Sequence, residues 1–342
     1  MADALLSPAV GLGLYAVTGV ALVISARKLK PELQNNPSLM ALMGVLGAFV
    51  FAAEMVNFSI PGTGSSGHLG GAMLLAIILG PWAGFVVVAS FLLIQALFFG
   101  DGGLLAWGAN AFNLGVMSCF VIYPLVYRPL AGDGSQRKRV TLAVIVSCTL
   151  SMASAALGVT VETELSGITT IPFMPFMMLM VPVHLVIGLV EGVITAAILS
   201  YVARTQPDLL QRQSMPATPW RSGRTLVGGF LLAAVLTGGV LTWFSSRAPE
   251  GVEWALNGMG HAKALEVAAG DGLKSQLAHI QSSMTLFDGT PAPGGEGIVS
   301  PTSSFEGLTG SALTLGLVLA VGLLLRWRRR QKFTRSNGHS SQ

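Results

Sequence analysis

The residues best suited to chemistry collect at two places near the start of the chain. One is the run FAAEMVNFSIPGTGSSGHLGGAM, where a Gly- and Ser-rich loop leads to His68. An imidazole beside small residues can be approached closely by backbone, so His68 is a candidate metal ligand, with a structural histidine as the alternative. Ser65 or Ser66 can cap a helix beginning here. A Gly-rich loop before a helix can also bind phosphate. Here no GxxxxGK[ST] pattern and no Lys are present, which argues against nucleotide. The second place is the opening, MADALLSPAV. A free α-amine, with an ordinary pKa near 8, is itself a nitrogen ligand. The Met1 amine, the Ala2 backbone and the His68 imidazole make a compact nitrogen-rich set. Such a set suits Ni(II) or Cu(II) in square-planar form and also accepts Co(II). Asp3 reads as a helix-start or turn residue, with a carboxylate ligand as the alternative.

Further polar groups lie at or inside apolar runs: Asn57, Gln95, Asp101, Asn110 and Asn113. Asn110 and Asn113 are three apart and so share a helix face. Amides in lipid must point into the bundle. They either orient the opening segment and His68 from one shell out or simply bond helix to helix. His184 and Glu191 are seven apart on one face of a later span. They read as a buried polar brace near a partner-binding side, with a role in metal release as the alternative. Glu54, close to Asn57, could help a cation enter.

These groups must be positioned by membrane helices. Of 342 residues, 52% are hydrophobic and 11% charged, and the mean hydropathy is +0.66. A soluble domain carries about 25% charged residues. Cys119 and Cys148 both fall in apolar runs and suggest neither a disulfide framework nor a Cys-rich metal site. A helical span needs about 20 apolar residues. Spans are expected near 5–26, 39–58, 69–80, 82–99, 105–127, 140–160, 175–203, 225–244 and 309–325. Lys and Arg favour the cytoplasmic side. Placing both Arg27/Lys28/Lys30 and Arg137/Lys138/Arg139 there requires an even number of crossings between them. The third and fourth spans are therefore separate, with a tight turn at Leu79-Gly80-Pro81-Trp82. The N-terminus is then outside, the C-terminal RWRRRQK inside, and only Arg247, Lys263 and Lys274 among the basic residues face outward. The pI near 9.3 thus reflects topology and not a nucleic-acid partner. The first helix lacks a basic start and is expected to remain uncleaved.

The expected fold is an all-α integral membrane protein: a seven-helix bundle over 1–204, a polar cytoplasmic linker over 205–222, and a two-helix hairpin over 223–342. The hairpin encloses an external loop, 245–308, which is net acidic and holds one short helical candidate, VEWALNGMGHAKALEVAA, before the flexible or extended run PAPGGEGIVSPTSS.

The stretches ADALLSPAVG, FAAEMVNFSIPGTGSSGHLGG, QALFFGDGGLLAWGANAFNLGV and HLVIGLVEGVITA resemble the CbiM/NikM family, the substrate-binding membrane subunits (S-components) of energy-coupling-factor cobalt and nickel transporters. The match covers most of residues 2–200. FSSRAPEGVEW resembles the PDGLE/NikN accessory module, with Glu250 where that pattern has Asp. The resemblance implies a metal held by the N-terminal amine, a second-position His and a His that maps onto His68. This chain has Ala2 instead of the second-position His. One expectation is a natural start two residues upstream, reading MHMADALLSP; the other is an altered site in which the Met1 amine and Asp3 join His68.

The resemblance implies capture of Co(II) or Ni(II) outside the cell, cobalt supply serving cobalamin synthesis. It implies no cofactor beyond the cargo. It implies as partners a CbiQ/NikQ-like transmembrane coupling protein and CbiO/NikO-like ATPases, since the chain has no Walker motif of its own. The face GVLGAFVFAA would pack against the coupling protein. Two other classes compete. An ion-driven secondary transporter should show repeated halves, and none is seen. An intramembrane metallohydrolase on His184 and Glu191 lacks HExxH. The residue types leave cobalt against nickel open.

Overall fold

The computed structural model describes residues 1–206, 223–265, 272–287 and 300–327. The linker expected from 205, beyond Gln206, and the basic tail beyond Trp327 lie outside the described residues. The described residues are mainly helical, with one β-hairpin among them. In order come α1 (Pro8–Asn35), α2 (Pro37–Glu54), β1 (Phe58–Ile60), β2 (Ser65–Gly67), α3 (Ala72–Leu79) and α4 (Pro81–Ile94, continued as a π-helical turn over Gln95–Phe99). Next come α5 (Trp107–Ala131), α6 (Arg137–Ser166), α7 (Phe173–Thr205), α8 (Gly223–Gly239), α9 (Gly251–Gly258), α10 (Leu273–Met284) and α11 (Pro301–Trp327). Among the described residues seven helices are long and apolar enough to cross a membrane: α1, α2, α4, α5, α6, α7 and α11. Leu12, Val17, Val20 and Val23 of α1 and Leu185, Leu189 and Val193 of α7 are exposed, as lipid-facing apolar side chains are.

α3 is the exception. It spans eight residues, about 12 Å at 1.5 Å per residue, and every one of them is buried. The chain reaches it through Gly67–Gly71 in non-helical form. The serines expected to cap this helix do not do so: Ser65 and Ser66 belong to β2, and the cap position is Gly71 at φ 65°, without a side-chain cap bond. His68 therefore sits on extended chain ahead of the helix and not on its first turn. The helix start is satisfied from across the bundle. The N–H groups of Gly70 and Gly71 donate to Glu191 Oε2 and Oε1 at 3.1 and 3.0 Å. Buried non-helical backbone survives only where protein satisfies it, and here a carboxylate on α7 does. Gly80, at φ 85°, and Pro81 end α3 and begin α4, at the turn the sequence marks.

The C-terminal pair packs on α2. Thr314 and Val318 of α11 approach Gly47, and Leu315 and Leu319 approach Gly44. Ser311 donates to the Ala48 carbonyl at 3.1 Å. Phe230 of α8 lies against Phe49, ring centroids 5.4 Å apart. The small-residue face of GVLGAFVFAA, expected to meet the coupling protein, is thus covered by the chain's own second part. Small residues allow this approach because helices in lipid associate by packing and not by the hydrophobic effect.

Between α8 and α11 the described residues are more helical than the sequence suggests. The expected helical candidate is α9 with a 3₁₀ turn over Ala262–Leu265 behind it, and α10 is a second helix. Its apolar Leu273, Leu277, Ile280 and Met284 recur at helical spacing, a signal that was available. The last helix begins at Pro301, where a proline suits the first turn, so the PTSS expected in a flexible run is helical. Cys119 and Cys148 are free and buried.

Glu191→Ala is expected to leave two buried N–H groups unpaired and to destabilise the purified protein in detergent by about 2–4 kcal/mol, with Glu191→Gln costing less. Thermal unfolding measures this, and unchanged midpoints for both would contradict the role given to the carboxylate.

Candidate metal centre

The opening segment is bound down by its first three residues. The Met1 amine donates to Asn110 Oδ1 at 2.9 Å, and Asn110 Nδ2 donates back to the Met1 carbonyl at 3.2 Å. The Gly103 N–H also reaches that carbonyl, at 3.4 Å. Asp3 begins a 3₁₀ turn, Asp3–Leu5, and is buried. Its Oδ1 accepts from the Ala106 N–H at 2.7 Å. Asp3 is thus a turn and anchor residue. Ser7 caps α1 through the Val10 N–H at 3.4 Å and donates its own N–H to Ser166 Oγ at 3.0 Å. The receiving loop, Gly100–Ala106, is fixed in turn by α1: Tyr15 donates to the Leu104 carbonyl, and Thr18 to the Gly108 carbonyl at 2.8 Å.

Burial lowers the pKa of the Met1 amine, while the carboxylates of Asp101, Glu162, Glu250 and Asp3 oppose the shift. Burial also pushes the Asp101 carboxyl up, reinforced by Glu250 and opposed by His68 and the amine.

Met1 and Ala2 face the same cavity as His68. It has a volume of about 280 Å³ and is also lined by Asp101, Asn110, His184 and Glu250. The His68 Nδ1 lies 3.1 Å from the Leu69 carbonyl, and its Nε2 lies 3.8 Å from Glu250 Oε2. Burial by itself lowers the His68 pKa; Glu250, Asp101 and the Leu69 carbonyl outweigh it, and the net shift is upward. Among the described residues no three His, Cys, Asp and Glu side chains come together to hold a metal.

One wall of the cavity comes from the second part of the chain. The Ser66 N–H donates to the Pro249 carbonyl at 2.9 Å, and its hydroxyl to the Ala248 carbonyl at 2.6 Å. Asn57 Nδ2 donates to Glu250 Oε1 at 2.9 Å, and Trp254 Nε1 to the Thr63 carbonyl at 2.9 Å. On the far side, Gln281 of α10 donates to the carbonyls of Ala96 and Gly102 at 3.0 and 2.7 Å, and Phe287 stacks on Phe99.

Of the polar residues the sequence singles out, Met1, Ala2, His68, Gln95, Asp101, Asn110, Asn113 and His184 line the cavity. Only Asn110 bonds the opening segment. Asn113 lies on a π-helical stretch that begins at Ala111 and faces the same cavity as Asn110, but its amide donates to Glu162 Oε2 at 2.9 Å and not to the opening segment. Gln95 donates to Glu54 Oε2 at 2.7 Å, so Glu54 is a buried partner of Gln95. Asn57 and Ser66 hold the second part of the chain, not His68. His184 Nδ1 contacts the Met180 carbonyl at 2.8 Å, and Glu191 is committed to Gly70 and Gly71. Glu162 and Glu250 escaped sequence reasoning. Glu162 is an acid within an apolar span, a visible signal; the position of Glu250 depends on a fold-back that no local pattern records.

Comparison with known proteins gives a consistent result. Residues 1–209 match the family model described as the cobalt uptake substrate-specific transmembrane region, CbiM, and residues 224–327 match the PDGLE domain. A protein of Archaeoglobus fulgidus named "Putative fused nickel transport protein NikMN" is 36% identical over 53% of this chain, a match that spans only 59% of the relative's length. A fused nickel transport protein NikMN of Rhodobacter capsulatus is 34% identical over 66% of this chain and 68% of the relative. A cobalt transport protein CbiM of Geobacter sulfurreducens is 31% identical over 69% of each. A crystal structure described as a transition metal transporter superposes with a TM-score of 0.53 at 30% identity, covering 63% of this chain and 97% of that one.

A Cβ added at Gly103 would lie 1.7 Å from Asp3 Oδ1 and 2.6 Å from the Asp3 nitrogen. Gly103→Ala is therefore expected to displace the opening turn. Reaction of the Met1 amine with an amine-specific reagent, tracked on the N-terminal peptide by mass spectrometry, should accelerate several-fold. An unchanged rate would contradict the hold of the Gly100–Ala106 loop on this segment.

Proposed function

The chain belongs to the CbiM family of cobalt-uptake substrate-specific transmembrane regions and carries a PDGLE domain behind it, and on that footing we propose that it captures Ni(II) or Co(II) from outside the cell for uptake. The observation that carries this reading is the convergence of Met1, Ala2 and His68 on one cavity. The Met1 amine, main-chain nitrogen at Ala2 and His68 Nε2 would hold the cargo. Asn110 would orient the amine, and Asp101 would offset part of the cation's charge. Nitrogen donors of this kind suit both ions. The fused arrangement is shared with relatives named nickel transport proteins, which makes Ni(II) the first ion to test.

The cargo would cross with a separate transmembrane coupling protein and separate ATPases. The chain carries no P-loop, so the energy would come from those partners. With the basic clusters inside, the cavity opens outward, the N-terminus is outside and the C-terminus cytoplasmic. Uptake by the reconstituted chain alone, driven by an ion gradient, would instead make it a secondary transporter. The hydrolase alternative has little to support it, since His184 and Glu191 are both engaged with backbone.

Calorimetric titration of the full chain in detergent tests capture. One Ni(II) or Co(II) per chain is expected, lost in His68→Ala. A chain extended by Met-His at its start is expected to bind more tightly, because it would add the second-position imidazole that the family resemblance implies. Equal binding by the parent and His68→Ala would sink the proposal.

A further inference from the structure

The pairing of His68 with Glu250 sets an imidazole nitrogen and a carboxylate oxygen within reach of one ion. His68 Nδ1 lies 3.1 Å from the Leu69 carbonyl, which can only accept, so Nδ1 is the nitrogen that carries hydrogen. This is the arrangement by which metal-bound histidines are held, one ring nitrogen donating to a backbone carbonyl and the other free for the ion. The Nε2 lone pair of the neutral ring then faces the Glu250 carboxylate at 3.8 Å. Two electron-pair donors face each other favourably only with a cation, a proton or a metal ion, between them. Bonds of about 2.1 Å from nitrogen and oxygen to a divalent transition metal span 3.8 Å with an open angle at the metal.

Glu250 is held for this position from both sides. Its Oε1 accepts from Asn57 Nδ2 at 2.9 Å, leaving Oε2 towards His68. Its backbone is pinned by a bridge to Ser66 and by the Ser66 N–H on Pro249. The next residue, Gly251, lies so close to the His184 ring that a Cβ there would sit 2.7 Å from Cε1. The Glu250 side chain keeps 45% of its surface exposed, so an arriving ion can reach it.

We propose that Glu250, carried by the C-terminal module, is a ligand of the transported metal, completing the set begun by His68 and the opening segment. The proposal rests on the capture reading. It gives the module a chemical part in the site: the carboxylate supplies a negative charge that amine and imidazole lack, and its oxygen favours ions that accept mixed nitrogen and oxygen donors.

The test uses the full chain in detergent, with Ni(II) titrated by calorimetry and Co(II) monitored by its visible absorption. Glu250→Gln keeps an oxygen for Asn57 and so keeps the module docked, while removing the charge. Ni(II) affinity should fall roughly 10- to 100-fold, the scale seen when groups supporting a metal site are removed. The Co(II) bands should shift, and the metal-free melting temperature should hold. Glu250→Asp should restore part of the affinity. If His68→Ala loses the metal but Glu250→Gln matches the parent in affinity and Co(II) spectrum, Glu250 only docks the module and the proposal falls while capture stands. A parent that binds neither ion overturns both. Should Glu250→Gln fail to fold, infrared difference spectra of the parent decide: Ni(II) must shift a carboxylate stretch, and the absence of any shift rejects the ligand role.

Discussion

In the hydrocarbon layer a main-chain N–H has nowhere to turn but to protein. That constraint bears on a buried, non-helical stretch, the run from β2 into α3. It is tolerated because Glu191 accepts both the Gly70 and Gly71 N–H groups, replacing the first bonds of a helix that starts late. The late start shapes the rest of the site. The chain is still extended when it passes His68, so the imidazole is delivered to the cavity by backbone that small residues can approach. α3 is left only eight residues, and the return through Gly80 and Pro81 brings α4 up beside it.

The other parts of the cavity share a pattern of main-chain groups bonded to single side chains from distant elements. Asn110 grips Met1 by amine and carbonyl together. Asp3 takes the Ala106 N–H. Ser66 takes the chain before Glu250 by N–H and hydroxyl. Hydrogen bonds of this kind are directional and short-ranged, so they place atoms more sharply than apolar packing in lipid does. The price is a set of buried acids, Glu54, Glu162 and Glu191, each of which needs its particular partner.

Much of this was legible in the sequence. Hydropathy and the distribution of Lys and Arg marked the long spans and the Gly80-Pro81 turn, because a helix in lipid must run about 20 apolar residues and must end visibly. His68 and the opening residues stood out as nitrogen donors, and they do share a cavity. What escaped was anything set by tertiary approach. Asn113 shares the cavity with Asn110, as the spacing of three implies, but is paired with Glu162 of a later helix. Ser65 and Ser66 pair with Ile60 and Ser59 in a hairpin, and the chain from Ala248 to Glu250 lies beside Ser66. The glycines of α2 read correctly as a packing face but not for which helix, since Gly44 and Gly47 fit α11 as well as they would fit another protein. Glu250 was visible only as a departure from a motif.

The C-terminal helices lie along α2 on the same polypeptide that forms the cavity, and this covalent continuity has a kinetic consequence. A segment on the same chain as its docking surface acts at an effective concentration set by chain connectivity and not by the amount of protein. The strand-like contact before Glu250 and the stacking of Phe287 on Phe99 then need contribute only modest affinity to remain engaged most of the time. Modest affinity means rapid release, and release on a tether does not lose the partner. Re-formation of these contacts is then intramolecular, at a rate independent of how many copies the membrane holds.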